Sequence, residues 1–211
     1  MRRSLTAMIV FAFAVACKDS TQPPLHLIEN GGFETGDFTG WTTFDAAGGS
    51  GGFIVSADTI MPTSTLVVLE PPESTYAAIT DQSGGGTHIL YQDVSLPANR
   101  SAALHATIYL RNEAVDYVIA ATGGLAFDGG VANQQFRVDV MNSAAGVTDV
   151  GTGVLLNVYQ TQPGDPLISG YVTVTADLTQ FAGQTVRIRF AEADNQNFFH
   201  AAVDAVDVVV N

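Results

Sequence analysis

Cysteine is nearly absent from this sequence: Cys17 is the only one, so the chain cannot form an internal disulfide. Basic residues are also scarce, with eight Lys and Arg against 21 Asp and Glu and a formal net charge of −13 at pH 7. Because nucleic-acid binding depends on clustered Lys and Arg that neutralise phosphates, this composition argues against a nucleic-acid partner. An acidic chain of this kind either stays soluble through its charge or collects divalent cations.

Long apolar runs are missing with one exception, the stretch from Leu5 to Ala16 that follows Arg2 and Arg3. This stretch is too short to cross a bilayer as a permanent helix. A basic start followed by a short apolar segment is typical of a signal peptide. We therefore expect residues 1–16 to direct export and to be removed.

The lone cysteine lies at the predicted cleavage point, directly after Ala14-Val15-Ala16. This position favours a lipobox, in which Cys17 is acylated and its lipid anchors the protein to a membrane. The alternative is an ordinary signal-peptidase site in a secreted soluble protein that has a cysteine there by chance. The sequence thus predicts a protein held at the cell envelope through Cys17, with the polar, Pro-containing residues 17–27 as a tether.

Beyond the tether, no long stretch has apolar residues at helical spacing, whereas short runs of alternating apolar and polar residues recur between Gly, Pro, Asn and Asp. This pattern predicts one all-β domain, residues 28–211, built as a two-layer antiparallel β-sandwich. Two predicted loops, 113–133 and 142–153, exceed hairpin length, and such loops often carry function. The predicted strands are 53–57, 75–80, 88–96, 102–112, 134–141, 154–159, 168–178, 185–191 and 201–210.

The segment Asn30-Gly31-Gly32-Phe33-Glu34, followed by Gly40-Trp41, resembles the opening of the galactose-binding-like jelly-roll modules attached to xylanases and cellulases. Further segments resemble later strands of the same family in the same order: 90–94, 181–190 and 203–206. The resemblance covers residues 28–210 and implies a jelly-roll carbohydrate-binding module without catalytic activity. It also implies that the only tryptophan, Trp41, is a core aromatic rather than a platform for sugar stacking.

The same resemblance implies a structural calcium ion. In the family this ion is often held by the opening Glu, a carbonyl of the preceding Gly segment and the Asp of the closing strand. Those positions are Glu34, Gly32 and Asp204 here. Two carboxylates brought together repel each other unless a cation lies between them, and Ca²⁺ prefers such oxygen ligands. The alternative is that Glu34 caps a turn and Asp204 pairs with an arginine, without a metal.

Alternation also sorts each strand into a core side and a solvent side. Sorted in this way, polar and aromatic residues with hydrogen-bonding side chains fall on the solvent side. If their strands share a sheet, they line a glycan cleft, and its arginines would suit an acidic sugar. The alternative is that the arginines form pairs with Asp139, Glu113 or Glu192 and stabilise the sheet surface. The predicted glycan-binding residues are Tyr109, Arg111, Gln135, Arg137 and Arg189.

No motif in the sequence argues convincingly for an enzyme. Residues 48–52, Gly-Gly-Ser-Gly-Gly, satisfy the G-x-S-x-G pattern, but that motif requires a helix after the serine and no helical pattern follows. The four histidines show no metal-ligand spacing. Glu192 and Asp194 have the chemistry of a glycosidase acid and base, although flanking a turn or helping to hold a cation explains them more simply. A competing prediction without a sugar ligand is an adhesion or structural envelope lipoprotein that binds protein partners.

Overall fold

The computed structural model describes residues 23–121 and 124–211. The predicted signal peptide, Cys17 and most of the predicted tether lie outside these residues, so those predictions stay predictions. Across the described ranges, no helix has the length and apolarity needed to span a membrane. The one helical element found there is a 3₁₀ turn, Thr179–Phe181.

The described residues form eleven strands, two more than the alternation predicts. They are β1 (Leu25–His26), β2 (Thr42–Asp45), β3 (Gly52–Ser56), β4 (Ala77–Asp81), β5 (Gly86–Ser95), β6 (Ala102–Asn112), β7 (Gln134–Asn142), β8 (Val154–Gln160), β9 (Ile168–Asp177), β10 (Thr185–Asp194) and β11 (Phe199–Val210). The two additional strands are β1 and β2. Both are short and mostly exposed, so neither carries the apolar alternation that marks a half-buried strand.

The strands form two antiparallel sheets. Sheet A has the order β3-β4-β11-β6-β9, with β1 also paired to β11, and sheet B has the order β2-β5-β10-β7-β8. Every pairing between these strands is antiparallel. The predicted all-β, two-layer antiparallel sandwich is therefore confirmed.

The core lies between the two sheets and consists of the alternate side chains predicted to face inward. Leu104, Ala106, Ile108 and Leu110 of β6 are all buried there, as are the alternating apolar residues of β7 and β10. Full burial of a Leu, Ile or Phe side chain contributes about 1.5–3 kcal/mol to stability relative to leaving it exposed. Because of this contribution, the alternating apolar residues fix which side of each strand faces the partner sheet.

Trp41 belongs to this core, as predicted. Its ring centroid lies 5.4 Å from that of Phe33 and 6.0 Å from that of Phe190. The indole N–H donates a hydrogen bond of 3.0 Å to the carbonyl of Asn30. This buried tryptophan thus holds the opening segment of the domain against the inner side of sheet B.

Candidate functional site

The opening segment and the closing strand meet at β11, an inner strand of sheet A. The N–H of Val206 donates to the carbonyl of Gly31 at 3.0 Å. A Cβ atom on Gly31 would overlap the carbonyl oxygen of Val206, so this close approach requires glycine. Next to it, the pairing of β11 with β6 shifts register between Asp204 and Asp207, and Ala205 adopts a positive φ of 49°. This bulge alters the direction of the chain at the predicted calcium ligand Asp204.

The structure brings together the three residues predicted as calcium ligands and places a further carboxylate, Glu73, beside them. A Cβ atom placed on Gly32 would lie 3.0 Å from Oε1 of Glu73, 3.7 Å from Oδ1 of Asp204 and 3.7 Å from Cγ of Glu34. The backbone N–H groups of residues 75 and 76 donate to Oε1 of Glu34, each at 2.9 Å. Glu34 therefore also fixes the segment that carries Glu73.

The chemistry of this cluster fits a hard cation. Asp204 is buried, and its Oδ2 has no hydrogen-bond partner among the described residues. Burial raises the pKa of Asp204 to about 7, and the negative charges of Glu73 and Glu34 add to the rise. The hydrogen bond from Ala205 N–H lowers this pKa but does not offset the other effects. None of the ion pairs in residues 23–121 and 124–211 involves Asp204. Three carboxylates next to one another without a basic partner are what a Ca²⁺ ion would stabilise.

The predicted glycan-binding residues do not share one sheet, and that expectation is wrong. Tyr109 and Arg111 lie on β6 in sheet A, whereas Gln135 and Arg137 lie on β7 and Arg189 on β10, both in sheet B. Alternation reports which side of a strand a residue occupies, but not which sheet the strand joins. The five side chains therefore point away from the core on opposite faces of the sandwich.

The expectation that the sheet B residues face solvent is also wrong. Gln135, Arg137 and Arg189 do lie on the outer side of the sheet, but loops fold over them and leave Arg189 with 0% exposure. Nη1 of Arg189 donates to the carbonyls of Val147 and Asp149 at 2.6 and 2.7 Å. The predicted loop 142–153 thus covers this face and occupies the donors that a sugar would have used.

The sheet B arginines instead form a buried network with Asp139, defined here as the arginine network: Arg137, Asp139 and Arg189. Arg137 donates to both carboxylate oxygens of Asp139 at 2.6 and 2.8 Å, and Arg189 donates to Oδ2 at 2.5 Å. Burial alone would raise the pKa of Asp139, but the bonds and charges of the two arginines outweigh it and hold this pKa below its usual value. The observed geometry matches the alternative of structural ion pairs.

Tyr109 and Arg111, the two predicted glycan-binding residues of sheet A, also contact other parts of the protein. Tyr109 is buried, and its ring centroid lies 5.4 Å from that of Tyr171. Arg111 pairs with Glu113 at 2.6 Å and donates to the carbonyl of Val67. Side chains from the segment between β3 and β4 pack on this face, so these residues do not line an open cleft.

An open cleft of about 370 Å³ does exist on the outer side of sheet B, where residues 124–128 of the long loop cross the sheet near the connection from β2 to β3. Phe127 is half-buried, and its Cε1 lies 3.5 Å from the position of a Cβ atom on Gly49. Asp128 and Thr148 are exposed at the cleft. The lining residues are Ala46, Ala47, Thr87, Gly124, Leu125, Ala126, Phe127, Asp128 and Thr148.

Amide side chains hold this wall of the cleft in place. Asn133 donates to the carbonyls of Gly124 and Ala126 at 3.1 and 2.9 Å. Gln135, one of the predicted ligand-binding residues, donates to the same Gly124 carbonyl at 3.1 Å. Asn195 donates to the carbonyl of Phe127 at 2.7 Å. The wall is therefore tied to strands of the sheet rather than left as a free loop, and Gln135 supports it from below.

Sequence reasoning missed Phe127 and Glu73 as site residues. A signal existed for Phe127, since it is an aromatic residue within a long loop and is flanked by the Gly pairs 123–124 and 129–130. No local signal marked Glu73, because its position depends on how the segment between β3 and β4 folds back. Glu192 and Asp194 are both buried between the sheets and do not line the cleft, so they cannot flank a sugar bound there.

No family model matches the chain, and no curated protein matches it. Solved structures do. The carbohydrate-binding module TmCBM61 in complex with β-1,4-galactotriose superposes with a TM-score of 0.52 at 16% identity, covering 87% of this chain and 97% of that one. The K3 adhesin domain of Lys-gingipain from Porphyromonas gingivalis W83 gives 0.53 at 15% identity, covering 89% and 98%. A Stig cyclase, Fisc, from Fischerella sp. TAU gives 0.50 at 18% identity, covering 90% and 98%.

At this level of identity the comparisons show a shared fold. The resemblance to carbohydrate-binding modules stated from the sequence is confirmed in that sense: the chain has the β-sandwich of such a module. The same fold also carries an adhesin domain and an enzyme, so the fold does not by itself assign a function.

Proposed function

We propose that this domain binds a glycan without transforming it, and that the ligand occupies the cleft beside Phe127. The single observation that carries the proposal is the cleft itself. It has an aromatic wall, exposed polar groups at Asp128 and Thr148, and a volume of about 370 Å³. Pockets of roughly 300–1,000 Å³ that combine an apolar wall with a few polar groups are typical of ligand sites. The fold shared with a galactotriose-binding module supports this reading.

The chemistry of the cleft favours a neutral sugar. An aromatic ring such as that of Phe127 offers a flat apolar face to pyranose C–H groups. The exposed carboxylate of Asp128 can accept hydrogen bonds from sugar hydroxyls, and the hydroxyl of Thr148 can donate or accept them. Arg137 and Arg189, which would have attracted an acidic sugar, are buried in ion pairs with Asp139, and the chain carries a formal charge of −13. We therefore expect neutral polysaccharides to bind and uronate-rich ones to be repelled.

A glycan array with the purified protein tests this proposal, using neutral β-glycans alongside pectin and alginate. The Phe127→Ala variant should bind about fivefold more weakly, since an aromatic contact of this kind contributes roughly 1 kcal/mol. Tyr171→Ala is the matched control, because Tyr171 is another half-buried aromatic but lies in sheet A. Equal binding by Phe127→Ala and the wild type would contradict the proposal. New reducing ends in the same incubations would contradict the non-catalytic part.

We also propose a structural Ca²⁺ ion bound by Glu34, Asp204 and the carbonyl of Gly32, with Glu73 as a further ligand. The convergence of these groups and the unpartnered Oδ2 of Asp204 support it. Such an ion would fasten the opening segment to the closing strand and would perform no chemistry.

The cellular location stays a proposal that rests on the N-terminal sequence. We propose export and lipid anchoring through Cys17, with secretion as the alternative. Metabolic labelling with a radioactive fatty acid should mark the wild type and leave Cys17→Ser unlabelled. Equal labelling of the two proteins would exclude this anchor.

A second candidate function is adhesion to a protein partner. The observation that favours it is an exposed apolar pair on the outer side of sheet A: Ile60 and Val67 face each other across a β-bridge and are 59% and 57% exposed. A blank glycan array with a correctly folded protein would favour this function over glycan binding.

A further inference from the structure

A group of polar side chains lies inside the sandwich, at the end where β5 starts and β10 stops. His88 of β5 is directly opposite Glu192 of β10, and Gly86 is opposite Asp194. Gln82, which follows β4, approaches from sheet A, where its Nε2 donates to the carbonyl of Phe199 at 2.7 Å. The side chains of His88, Glu192, Asp194 and Gln82 are each at most 1% exposed.

The arrangement of these atoms is that of a metal site. One ligand atom from each of His88, Glu192 and Asp194 lies within 4.8 Å of the other two. Three buried atoms have no hydrogen-bond partner in the part of the chain that is described: Nε2 of His88, Oε2 of Glu192 and Oε1 of Gln82. Because each buried polar atom left unpaired costs about 1–3 kcal/mol, three together indicate that a ligand completes them.

The environment of His88 prepares its Nε2 to bind a cation. Its Nδ1 lies 2.7 Å from Oδ1 of Asp45, and in the tautomer that donates this hydrogen bond Nε2 presents a lone pair. Metal-bound histidines usually donate their other ring N–H to a carboxylate in this way. A Cβ atom on residue 86 would overlap Nε2, so a side chain at Gly86 would block this nitrogen.

The buried carboxylates of Glu192 and Asp194 also favour the binding of a positive charge. Burial raises the pKa of Glu192 well above its usual value, and the charge of Asp194 adds to that rise. Burial likewise raises the pKa of Asp194 to about 6, against hydrogen bonds from Gly86 and Gln82. Two buried carboxylates this close together repel each other, and a bound divalent ion would offset that repulsion.

We propose that Nε2 of His88 and the carboxylates of Glu192 and Asp194 bind a divalent transition-metal ion of the Zn²⁺ type. Imidazole suits Zn²⁺ rather than Ca²⁺, and three nitrogen and oxygen donors fit its tetrahedral preference. The ion would join β5 to β10 on the core side of sheet B. This metal site is separate from the cluster around Asp204. Its proposed role is to stabilise the sandwich, and it takes no part in the cleft beside Phe127.

The test uses the full exported protein, stripped of metals by a chelator and then dialysed into buffer with saturating Ca²⁺, so that the proposed calcium site is filled. Co²⁺ is titrated first, because its visible absorption spectrum reports nitrogen and oxygen coordination in a low-symmetry site. Zn²⁺ should then displace Co²⁺. At a Zn²⁺ concentration about 100-fold above Kd, Tm should rise by about 5–10 °C.

Two histidine variants separate this site from adventitious binding. His88→Gln should lose the Co²⁺ spectrum and the Zn²⁺-induced rise in Tm. His26→Gln should keep both, although His26 also contacts a carboxylate, Asp207, at 2.5 Å on the surface. Asp204→Asn should keep both as well, which distinguishes this site from the proposed calcium site.

A third variant keeps the test valid if His88→Gln folds poorly. Glu192→Gln preserves the shape of the side chain and removes a buried ionisable group. Its metal-free form should therefore be at least as stable as the wild type at pH 8, while Zn²⁺ no longer raises its Tm. The proposal is overturned if the wild type gives no Co²⁺ spectrum and no rise in Tm. It is equally overturned if His88→Gln and Glu192→Gln respond to Zn²⁺ as the wild type does.

Discussion

Removing the carboxylate of Asp139 should destabilise the protein strongly without affecting glycan binding. Asp139 accepts hydrogen bonds from both Arg137 and Arg189, and all three side chains are buried on the outer side of sheet B. In Asp139→Ala, two guanidinium groups would stay buried without the carboxylate that pairs with both of them. Breaking one partner out of a buried ion pair costs about 3–5 kcal/mol. For a domain of this size we expect a fall in Tm of roughly 10 °C.

A matched control is available on the same face. Asp93 pairs with Arg187 at 2.7 Å, but the side chain of Asp93 is 40% exposed. Arg187 also donates to the carbonyls of Ser143 and Ala145, so it keeps partners when Asp93 is replaced. We expect Asp93→Ala to lose at most about 1 kcal/mol, as exposed ion pairs do.

The assay is denaturant unfolding of Asp139→Ala, Asp93→Ala and the wild type, followed by glycan binding of each at a temperature where all are folded. Arg137→Ala and Tyr109→Ala extend it to two predicted glycan-binding residues. We expect all four variants to retain binding. If Arg137→Ala and Tyr109→Ala lost binding while their Tm stayed unchanged, these residues would contact the ligand and the structural interpretation would be refuted.

The arginine network also predicts how stability depends on pH. The pKa of Asp139 is lower in the folded protein than its unfolded value of about 3.9, so the folded state binds fewer protons there. Its contribution to the free energy of unfolding is present above about pH 3.9 and is lost as pH falls through the folded-state pKa. Asp139→Asn should show a weaker acid dependence than the wild type in unfolding experiments between pH 2 and 6. An unchanged acid dependence would show that other carboxylates dominate it.

Three further predictions concern the opening segment. Adding Ca²⁺ to the metal-free protein should raise the Tm of the wild type but not that of Asp204→Asn; a rise of equal size in the variant would place the Ca²⁺ elsewhere. Gly31→Ala should lower the free energy of unfolding by more than about 2 kcal/mol, because its Cβ would overlap Val206. Gly129→Ala is the control and should change it by less than about 0.5 kcal/mol, since no atom lies within 4 Å of the added Cβ. Trp41→Ala should lower the free energy of unfolding by about 3–5 kcal/mol, and the folded variant should still bind glycan. A variant that lost glycan binding at unchanged stability would instead show that Trp41 stacks on the sugar.

Much of the fold was accessible from the sequence because strand alternation is a local property. The apolar set 104, 106, 108 and 110 faces the core as the period of two predicts, and the nine predicted strands all exist, with ends that differ by up to three residues. Trp41 and the opening segment were placed by their resemblance to a known module. The two predicted loops also exist, and one of them forms the wall of the cleft.

The sequence by itself thus determined the class of the fold, the inward and outward sides of most strands and the joining of the domain's two ends at Glu34 and Asp204. Only the tertiary structure decided that Tyr109 and Arg137 lie on different sheets, that loops cover the arginines, and that Glu73 and His88 complete two polar clusters. The physical reason is the range of the interactions. Alternation depends on the geometry of neighbouring residues, whereas sheet membership and loop packing depend on hydrogen bonds and burial between segments far apart in the chain.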